Sequence, residues 1–332
     1  MPPQTLTQRF VCPKDRGELT LSGQALVCSL CHRAYPIARG NTPVFIIDQS
    51  SVFSQAEYVV GNSYEGHRYG ATTERVSGLR RLVRQTGRFL QNTSSSLGYF
   101  GAADAIQHVI QNQPNPRVLV LGAGDTDCRA NGCTVVHTDV AFGETIEAIV
   151  DAHDLPFPDG SFNLVIAVAV LEHVTDPQAC VAEAHRVLAP QGWIYAVTPF
   201  LQPVHMGAHD FTRFTPLGHR RLFRFFDTLE WGVAMGPGSM FAYSLSALLE
   251  SVSRRHQLRR VGKLLGLLVT PPLRKLDRLL SRSPSSWDAA AATYFFGSRR
   301  YCPLPDRDII KEYKGGYRFI SKPGLPEPAE GE

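Results

Sequence analysis

Short apolar runs separated by glycine turns and acids dominate the middle of the chain. One run covers 118–121 and leads into Gly122-Ala123-Gly124, and another ends in Asp139. Longer apolar runs follow at 164–171 and 193–197. Runs of four to eight apolar residues bounded by turn residues are typical of strands buried on both faces of a parallel sheet. The pattern therefore predicts an α/β fold with a doubly wound, mostly parallel sheet.

The strand pattern returns late in the chain, at 226–235 and 293–298, which predicts a final pair of strands. Between them, residues 240–283 are rich in leucine and in Lys and Arg, and predict an amphipathic helical insertion. No uninterrupted apolar run there reaches the ~20 residues that span a bilayer. Such helices can lie on an anionic membrane surface, or pack against the core or a second subunit of a homodimer. The sequence leaves these alternatives open.

The glycine turn and the acid of the next strand indicate a nucleotide-like ligand. Glycines at Gly122 and Gly124 tolerate positive φ and let backbone N–H groups approach a ligand closely. Asp139 can accept hydrogen bonds from both hydroxyls of a ribose. A Gly-x-Gly pair alone is a weak signal. In series with Asp139 and Asp151, it predicts a ligand that lies across strand ends.

Three further motifs carry a resemblance to a known family. They read DAHDLPFPDGSFNLV at 151–165, LEHV at 171–174 and RVLAPQGW at 186–193. With the glycine turn, they resemble the class I, Rossmann-like S-adenosylmethionine-dependent methyltransferases over about residues 95–235. The resemblance implies a seven-stranded sheet whose last two strands form an antiparallel edge, and S-adenosylmethionine as cofactor. It implies that the methionine part lies over Gly122, Ala123 and Gly124, that Asp139 holds the ribose, and that Asp151, Ala152 and His153 contact the adenine.

The chain also departs from that family. Many members carry an acid at the position of Val120, a glycine at that of Thr126 and an aspartate at that of Asn163. Only 12 positions separate Asp139 from Asp151. A parallel crossover normally needs a dozen or more residues, so the helices that flank the second strand should be short or replaced by loops.

The first 50 residues resemble the small zinc-ribbon-like domain found beside some methyltransferases or as their activating partner. A usual ribbon holds zinc with two Cys-x-x-Cys pairs, whereas this chain offers Cys12 and Asp15 with Cys28 and Cys31. Asp can ligate zinc, so these four residues can form a Zn²⁺ site. A ribbon without metal, held by its apolar residues, is an equally weighted alternative.

The loop after the fifth strand is the candidate for acceptor chemistry, because ligands in open α/β sheets bind beyond the carboxyl ends of strands. His209 with Asp210, or His205, is the candidate general base, and Arg213 is the candidate partner of a substrate carboxylate or phosphate. The alternative is that the four residues only order the loop. Glu172 and His173 are expected to shape the cofactor edge or to start a helix.

Composition adds a few limits. The chain has 332 residues, 43% hydrophobic residues and a formal net charge of +4, which is too mild for nucleic acid to be an expected partner. Seven cysteines without a secreted framework, and no apolar leader, indicate the cytoplasm. Peripheral contact at the inner face of the membrane is possible through the insertion.

The predicted organisation has four parts. A ribbon-like domain covers 1–50, a linker and cofactor-covering segment 51–100, the methyltransferase domain 101–300, and a tail 301–332. The predicted function is O-methylation of a sugar, a glycan precursor or another small acceptor. The alternative is a scaffold that keeps the fold, does not catalyse and binds a partner protein.

Overall fold

The computed structural model describes residues 9–39, 41–59, 98–124, 126–252, 272–281 and 283–316. Most of the predicted cofactor-covering segment, the centre of the insertion and the end of the tail lie outside these residues.

In the described part of the chain, eleven strands form one sheet with the order β1-β2-β3-β4-β7-β6-β5-β8-β9-β11-β10. The strands are β1 (Leu19–Ser22), β2 (Ala25–Cys28), β3 (Ala34–Ala38), β4 (Thr42–Phe45), β5 (Arg117–Leu121), β6 (Thr134–Asp139), β7 (Ala148–Val150), β8 (Phe162–Val168), β9 (Leu188–Pro199), β10 (Phe226–Met235) and β11 (Ala292–Arg299). From β4 to β9 every pairing is parallel, whereas β11 pairs antiparallel with both β9 and β10. The predicted doubly wound sheet with an antiparallel edge is confirmed.

The described helices cover both faces and the edges of the sheet. They are α1 (Gln55–Val59), α2 (Ala102–Asn112), α3 (Pro177–Val187), α4 (Pro216–Leu222), α5 (Pro237–Ser251), α6 (Asp277–Leu280), α7 (Ser285–Asp288) and α8 (Asp306–Lys311). Among the described residues, no helix lies between β5 and β6 or between β6 and β7, as the short spacing predicts.

The central strand β5 is apolar from Val118 to Leu121, and the packing of these four residues shows why. Leu119 and Leu121 pack into one hydrophobic cluster, and Val118 and Val120 pack into the other. Since side chains alternate between the faces of a strand, the two clusters lie on opposite faces of the sheet. The four apolar residues of β5 therefore fill the core on both faces of the sheet.

The N-terminal ribbon is hydrogen-bonded into this sheet. Strands β1 to β4 form an antiparallel meander, and β4 then pairs in parallel with β7 through Val44↔Ile149 and Phe45↔Val150. The ring of Phe10 packs against Phe45 and Phe157, with centroids 5.0 and 5.4 Å apart. The sheet and its core are therefore continuous across the ribbon boundary predicted at residue 50.

A buried carboxylate anchors the insertion. Asp277 accepts hydrogen bonds from the N–H groups of Gly236, Gly238 and Ser239 and from the hydroxyl of Ser239, at 2.5–3.1 Å. These N–H groups belong to the first turn of α5, which an acid at this position satisfies and stabilises. Of the helices described, none is both long and apolar enough to cross a lipid bilayer.

Candidate functional site

A cleft of about 830 Å³, open solvent included, lies at the carboxyl ends of β5, β6, β7 and β8. Its polar lining includes Asp139, Asp151, His153, His173 and His209. Its apolar lining includes Ala152, Val52, Phe53, Val170 and Val174. The cleft thus gathers Gly122, three residues of the predicted adenine segment and one histidine of the predicted acceptor loop.

The glycine turn that follows β5 is tightly packed. Gly122 has φ +59°, and a Cβ there would lie 2.5 Å from Cγ2 of Val170, so a larger residue would displace that side chain. Gly124, with φ +55°, donates its N–H to Oδ2 of Asp139 at 2.8 Å. Gly122 lines the cleft, whereas Ala123 is buried and lies behind it with Gly124.

Asp139 is held by backbone groups on both sides. Its Oδ2 accepts from Gly124, and its Oδ1 accepts from the N–H of Ala141 at 2.8 Å. The carboxylate is 6% exposed and lines the cleft. Two backbone donors fix its orientation at the end of β6, which is where the family resemblance requires a ribose ligand.

Asp151 and His153 form a hydrogen-bonded pair on the cleft wall. Nδ1 of His153 lies 2.5 Å from Oδ1 of Asp151, and the N–H of Asp176 donates to Nε2 of His153 at 3.1 Å. Burial acts to raise the pKa of Asp151, but hydrogen bonds from His153 and Ser51 bring it below its usual value. The hydrogen bond to Asp151 raises the pKa of His153. The pair joins the end of β7 to the start of α3.

The segment that follows the ribbon supplies residues that sequence reasoning missed. The hydroxyl of Ser51 donates to Oδ2 of Asp151 at 2.5 Å, and Val52 and Phe53 line the cleft. Phe53 stacks on the ring of His209, with centroids 5.7 Å apart and 11° between the planes. Nothing in the local sequence marks these residues, because pairing of β4 with β7 brings them to the cleft.

The acceptor loop is ordered by an ion pair. Asp210, whose side chain is 1% exposed, pairs with Arg213 and accepts the N–H of His205 at 2.7 Å. Burial acts to raise the pKa of Asp210, but hydrogen bonds from Arg213 and His205 lower it. Arg213 also donates to the carbonyl oxygens of Thr212 and Pro203 at 3.1 and 3.3 Å.

These contacts differ from two of the expected pairings. The Asp210 carboxylate lies against His205 and Arg213, and His209 instead stacks on Phe53 at the cleft. The guanidinium of Arg213 is engaged by the loop itself, as in the structural alternative. Of the four candidates, His209 is the one that lines the cleft.

A second polar cluster joins the end of the β8 segment to the loop. Nε2 of His173 and Nε2 of His205 are 3.0 Å apart, and Oε1 of Glu172 lies 3.6 Å and 3.5 Å from them. The carbonyl oxygen of Glu172 also accepts the N–H of Phe211 at 2.8 Å. Glu172 and His173 do not start a helix, because α3 begins later, at Pro177. His173 lines the cleft as expected of a cofactor-edge residue.

The four ribbon residues converge on one point. Cys12, Asp15, Cys28 and Cys31 place their ligand atoms within 4.8 Å of one another. The Sγ atoms of Cys12 and Cys31 are 3.7 Å apart, close to the edge of a zinc tetrahedron with Zn–S bonds of about 2.3 Å. The N–H groups of Leu30 and Cys31 point at Sγ of Cys28, at 3.3 and 3.5 Å. The donor set fits Zn²⁺.

The fold and the cleft at its strand ends define a class I methyltransferase architecture. Residues 126–196 match the methyltransferase domain family, and residues 8–40 match the Trm112p-like protein family. These findings confirm the predicted class I S-adenosylmethionine-dependent methyltransferase domain with an N-terminal zinc-ribbon-like domain.

Two curated relatives match part of the chain. The ubiquinone biosynthesis O-methyltransferase of Methylococcus capsulatus is 28% identical over 111 residues, which cover 29% of this chain and 43% of the relative. The ubiquinone/menaquinone biosynthesis C-methyltransferase UbiE of Neisseria meningitidis is 38% identical over 69 residues, which cover 20% of this chain and 28% of the relative. The chain spans less than half the length of the curated relatives it matches.

Solved structures match the chain at low identity and with low TM-scores. The 1,6-didemethyltoxoflavin-N1-methyltransferase of Burkholderia thailandensis, with S-adenosylhomocysteine, is 12% identical with a TM-score of 0.38. It covers 70% of this chain and 94% of its own. A complex of the Haloferax volcanii Trm112 methyltransferase activator with a methyltransferase is 16% identical with a TM-score of 0.37, and covers 66% and 96%.

Proposed function

We propose that this chain transfers a methyl group from S-adenosylmethionine to an oxygen atom of a small hydroxylated acceptor. The observation that carries the proposal is the cleft at four parallel strand ends. Gly122 and Asp139 line it together with His173, Met206 and His209. A cofactor held by Gly122 and Asp139 would have its methyl group in the same cleft as these two histidines.

On the cofactor side, each candidate residue has a distinct role in the proposal. Gly122 gives the closest backbone approach, and Ala123 and Gly124 form the turn behind it. Asp139 would accept hydrogen bonds from the ribose hydroxyls. Asp151, Ala152 and His153 would flank the adenine, with Asp151 already oriented by Ser51 and His153.

On the acceptor side, the reaction needs a nucleophile in line with the methyl carbon and a group that removes its proton. Bound S-adenosylmethionine supplies an electrophilic methyl group on a sulfonium. His209 lines the cleft and its ring orientation is fixed by Phe53, so we propose it as the proton acceptor. His205, beside Asp210, is the second candidate, and Arg213 orients Asp210.

The acceptor class remains broad in this proposal. A sugar or glycan precursor is the acceptor inferred from the sequence. The relative from Methylococcus capsulatus is an O-methyltransferase of ubiquinone biosynthesis, which adds an intermediate of such a pathway as a second acceptor class. UbiE is a C-methyltransferase, so it does not support an oxygen acceptor. The apolar side chains of Val52, Phe53, Val170 and Val174 in the cleft support an acceptor with an apolar or aromatic part.

The ribbon is proposed to bind Zn²⁺ and to brace the cofactor edge from within the same chain. Cys12, Asp15, Cys28 and Cys31 would hold the ion, and β4 transmits the position of the ribbon to β7. The segment after β4 then delivers Ser51 to Asp151. In this proposal the ribbon is a fused counterpart of an activating partner protein.

The insertion is proposed to meet an apolar surface. Its described residues expose large apolar side chains on both α5 and the segment around α6: Phe241, Leu248, Val252, Leu276 and Leu279. We propose peripheral contact with the inner face of a membrane, or with a lipid-linked acceptor, in a cytoplasmic protein. A homodimer that buries this surface is the competing outcome, and sedimentation with and without anionic vesicles separates the two.

Calorimetric titration with S-adenosylmethionine, followed by transfer of labelled methyl to a panel of sugars and phenols, tests the main proposal. Micromolar binding together with a labelled product would support it. Binding without transfer to any acceptor would favour the alternative of a non-catalytic scaffold, to which the departures at Val120 and Thr126 also point. Absence of binding by the folded chain would overturn the cofactor assignment.

A further inference from the structure

We propose that Glu172, His173 and His205 form a divalent metal site beside the methyl-transfer cleft, separate from the ribbon site. One ligand atom of each residue lies within 4.8 Å of the other two. The binding of a metal here stands on the geometry alone. Its use in catalysis, argued below, rests on the proposed function.

The three ligand atoms have the spacing that a small cation requires. The two Nε2 atoms are 3.0 Å apart, and Oε1 of Glu172 lies 3.5 Å from that of His205 and 3.6 Å from that of His173. The point equidistant from the three atoms lies about 2.0 Å from each, which matches Zn–N and Zn–O bonds of about 2.0–2.2 Å.

The carboxylate of Glu172 is buried without a hydrogen-bond donor. The residue is 0% exposed, and neither Oε1 nor Oε2 has a hydrogen-bond partner in the described part of the chain. A buried carboxylate that no donor or cation satisfies is strongly unfavourable. Its Oε1 faces the two histidine nitrogens at distances too long for hydrogen bonds. A cation between them would satisfy all three groups.

Outer contacts orient both rings with Nε2 toward the centre. Nδ1 of His173 donates to the carbonyl oxygen of His209 at 2.7 Å, which leaves the lone pair on Nε2. Nδ1 of His205 faces Oδ2 of Asp210 at 3.5 Å, and Arg213 holds that carboxylate. Histidines that bind metals typically donate their second N–H to a carbonyl or a carboxylate, as His173 does to the carbonyl oxygen of His209.

Without a metal, the rings of His173 and His205 can hydrogen-bond to each other instead. One Nε2–H could donate to the other Nε2 across 3.0 Å, with Nδ1 of His205 accepting from Nη2 of Arg213 at 3.4 Å. That arrangement satisfies the rings but still leaves Glu172 without a donor. The buried acid therefore distinguishes a metal site from a simple histidine pair.

The donor set indicates the class of metal. Two imidazoles and one carboxylate suit Zn²⁺, Mn²⁺, Fe²⁺ or Co²⁺ more than Ca²⁺, which takes six or more oxygen ligands. Three protein ligands also leave a coordination position for another oxygen, as in catalytic sites. His173 belongs both to the cluster and to the cleft lining, so that position lies near the acceptor.

In the proposed reaction, the metal would bind the acceptor hydroxyl and lower its pKa. The O–H bond breaks and the proton passes to His209. The oxygen lone pair then forms a bond to the methyl carbon, and the C–S electrons return to sulfur to give S-adenosylhomocysteine. The atoms and charges balance without any further reactant.

The test measures metal content of the full chain rather than turnover. Protein stripped with a chelator is dialysed against Zn²⁺ or Mn²⁺ and its bound metal is counted in wild type, Glu172→Gln and His205→Ala. Loss of a ligand should weaken binding at this site by about 10²-fold or more, since outer contacts alone are worth 10–100-fold. Cys28→Ser should remove only the ribbon metal, and His108→Ala should change neither count.

The outcomes separate this site from the proposed function. One metal equivalent that survives Cys28→Ser and disappears in both Glu172→Gln and His205→Ala supports the site, even where no methyl transfer is found. Equal metal content in wild type and these two variants would overturn it. His205 has a half-exposed side chain, so its variant should fold even if the buried Glu172→Gln variant does not.

Discussion

The hydroxyl of Ser51 donates a 2.5 Å hydrogen bond to the carboxylate of Asp151, across one hundred positions of sequence. Ser51 follows the last ribbon strand, and Asp151 ends β7 in the cleft. This bond links the segment directly after the ribbon to the candidate cofactor site. We therefore expect the affinity for S-adenosylmethionine to depend on a residue outside the predicted methyltransferase domain.

We expect Ser51→Ala to raise the Kd for S-adenosylmethionine by about 3- to 10-fold, because hydrogen bonds to charged groups contribute roughly 1.5–3 kcal/mol and His153 retains part of the orientation of Asp151. Calorimetric titration measures the change. Ser22→Ala, on exposed β1, is the matched control and should bind as wild type does. Unchanged affinity in Ser51→Ala would mean that the link has no part in cofactor binding.

Asp139 should hold the ribose. Asp139→Ala removes a bidentate acceptor, and we expect at least a tenfold rise in the Kd for S-adenosylmethionine. Because Asp139 also holds Gly124 and Ala141, Asp139→Asn, which keeps one oxygen acceptor, is measured beside it. The control is Asp159→Ala, an exposed acid just before the amino end of β8, whereas the cleft lies at the carboxyl ends of the strands. A folded Asp139→Ala variant with wild-type affinity would rule out the proposed cofactor pose.

His209 should act on the acceptor and not on the cofactor. His209→Ala is expected to lower methyl transfer by about 10²-fold or more, the usual scale for a lost general base, with nearly unchanged affinity for S-adenosylmethionine. The rate is measured with one acceptor at saturating cofactor. His209→Phe preserves stacking on Phe53 and should be equally slow, which separates proton transfer from packing. Full turnover in both variants would exclude His209 as the base.

Zinc in the ribbon should support the cleft from a distance. Cys28→Ser is expected to lose near-stoichiometric zinc, to loosen residues 10–47 and, through β4 and β7, to weaken binding of S-adenosylmethionine. Elemental analysis and hydrogen exchange measure the first two effects. Cys302→Ser, at an exposed free cysteine, is the control. Protein purified without chelator and free of zinc would instead support a metal-free ribbon with an apolar core.

The buried His219 should make the fold sensitive to acid. Complete burial lowers its pKa from 6.5 to about 3, and its Nδ1 lies 3.0 Å from the hydroxyl of Thr293. Above pH 6.5 neither state binds the proton, and between pH 6.5 and 3 only the unfolded state does. The free energy of unfolding should therefore fall in that window, by at most about 1.4 kcal/mol per pH unit.

The comparison of His219→Gln with wild type isolates this contribution from those of the carboxylates. Thermal unfolding between pH 7 and 4 should show a smaller loss of stability in the variant, whatever its stability at pH 7. His108→Gln should follow the wild-type curve. Parallel curves for His219→Gln and wild type would show that His219 does not cause the acid sensitivity.

The sequence by itself determined where the strands lie along the chain and the chemistry at their ends. Apolar runs such as 118–121 cannot be solvent-exposed, Gly122 comes directly after one strand, and Asp139 closes the next. The missing helices around β6 followed from the short spacing, and the antiparallel edge followed from the family resemblance. These are local properties, because a strand buried on both faces reads as a run of apolar residues and a tight turn reads as glycine beside it.

Only the tertiary structure decided which distant residues meet. Pairing of β4 with β7 brought Ser51 and Phe53 into the cleft, and the parallel pairing of β8 and β9 brought the segment of Glu172 and His173 to the loop of His205. It also placed the carboxylate of Asp210 beside Arg213 and His205, whereas the sequence had paired it with His209. Such contacts depend on strand order and loop path, and no local periodicity encodes either one.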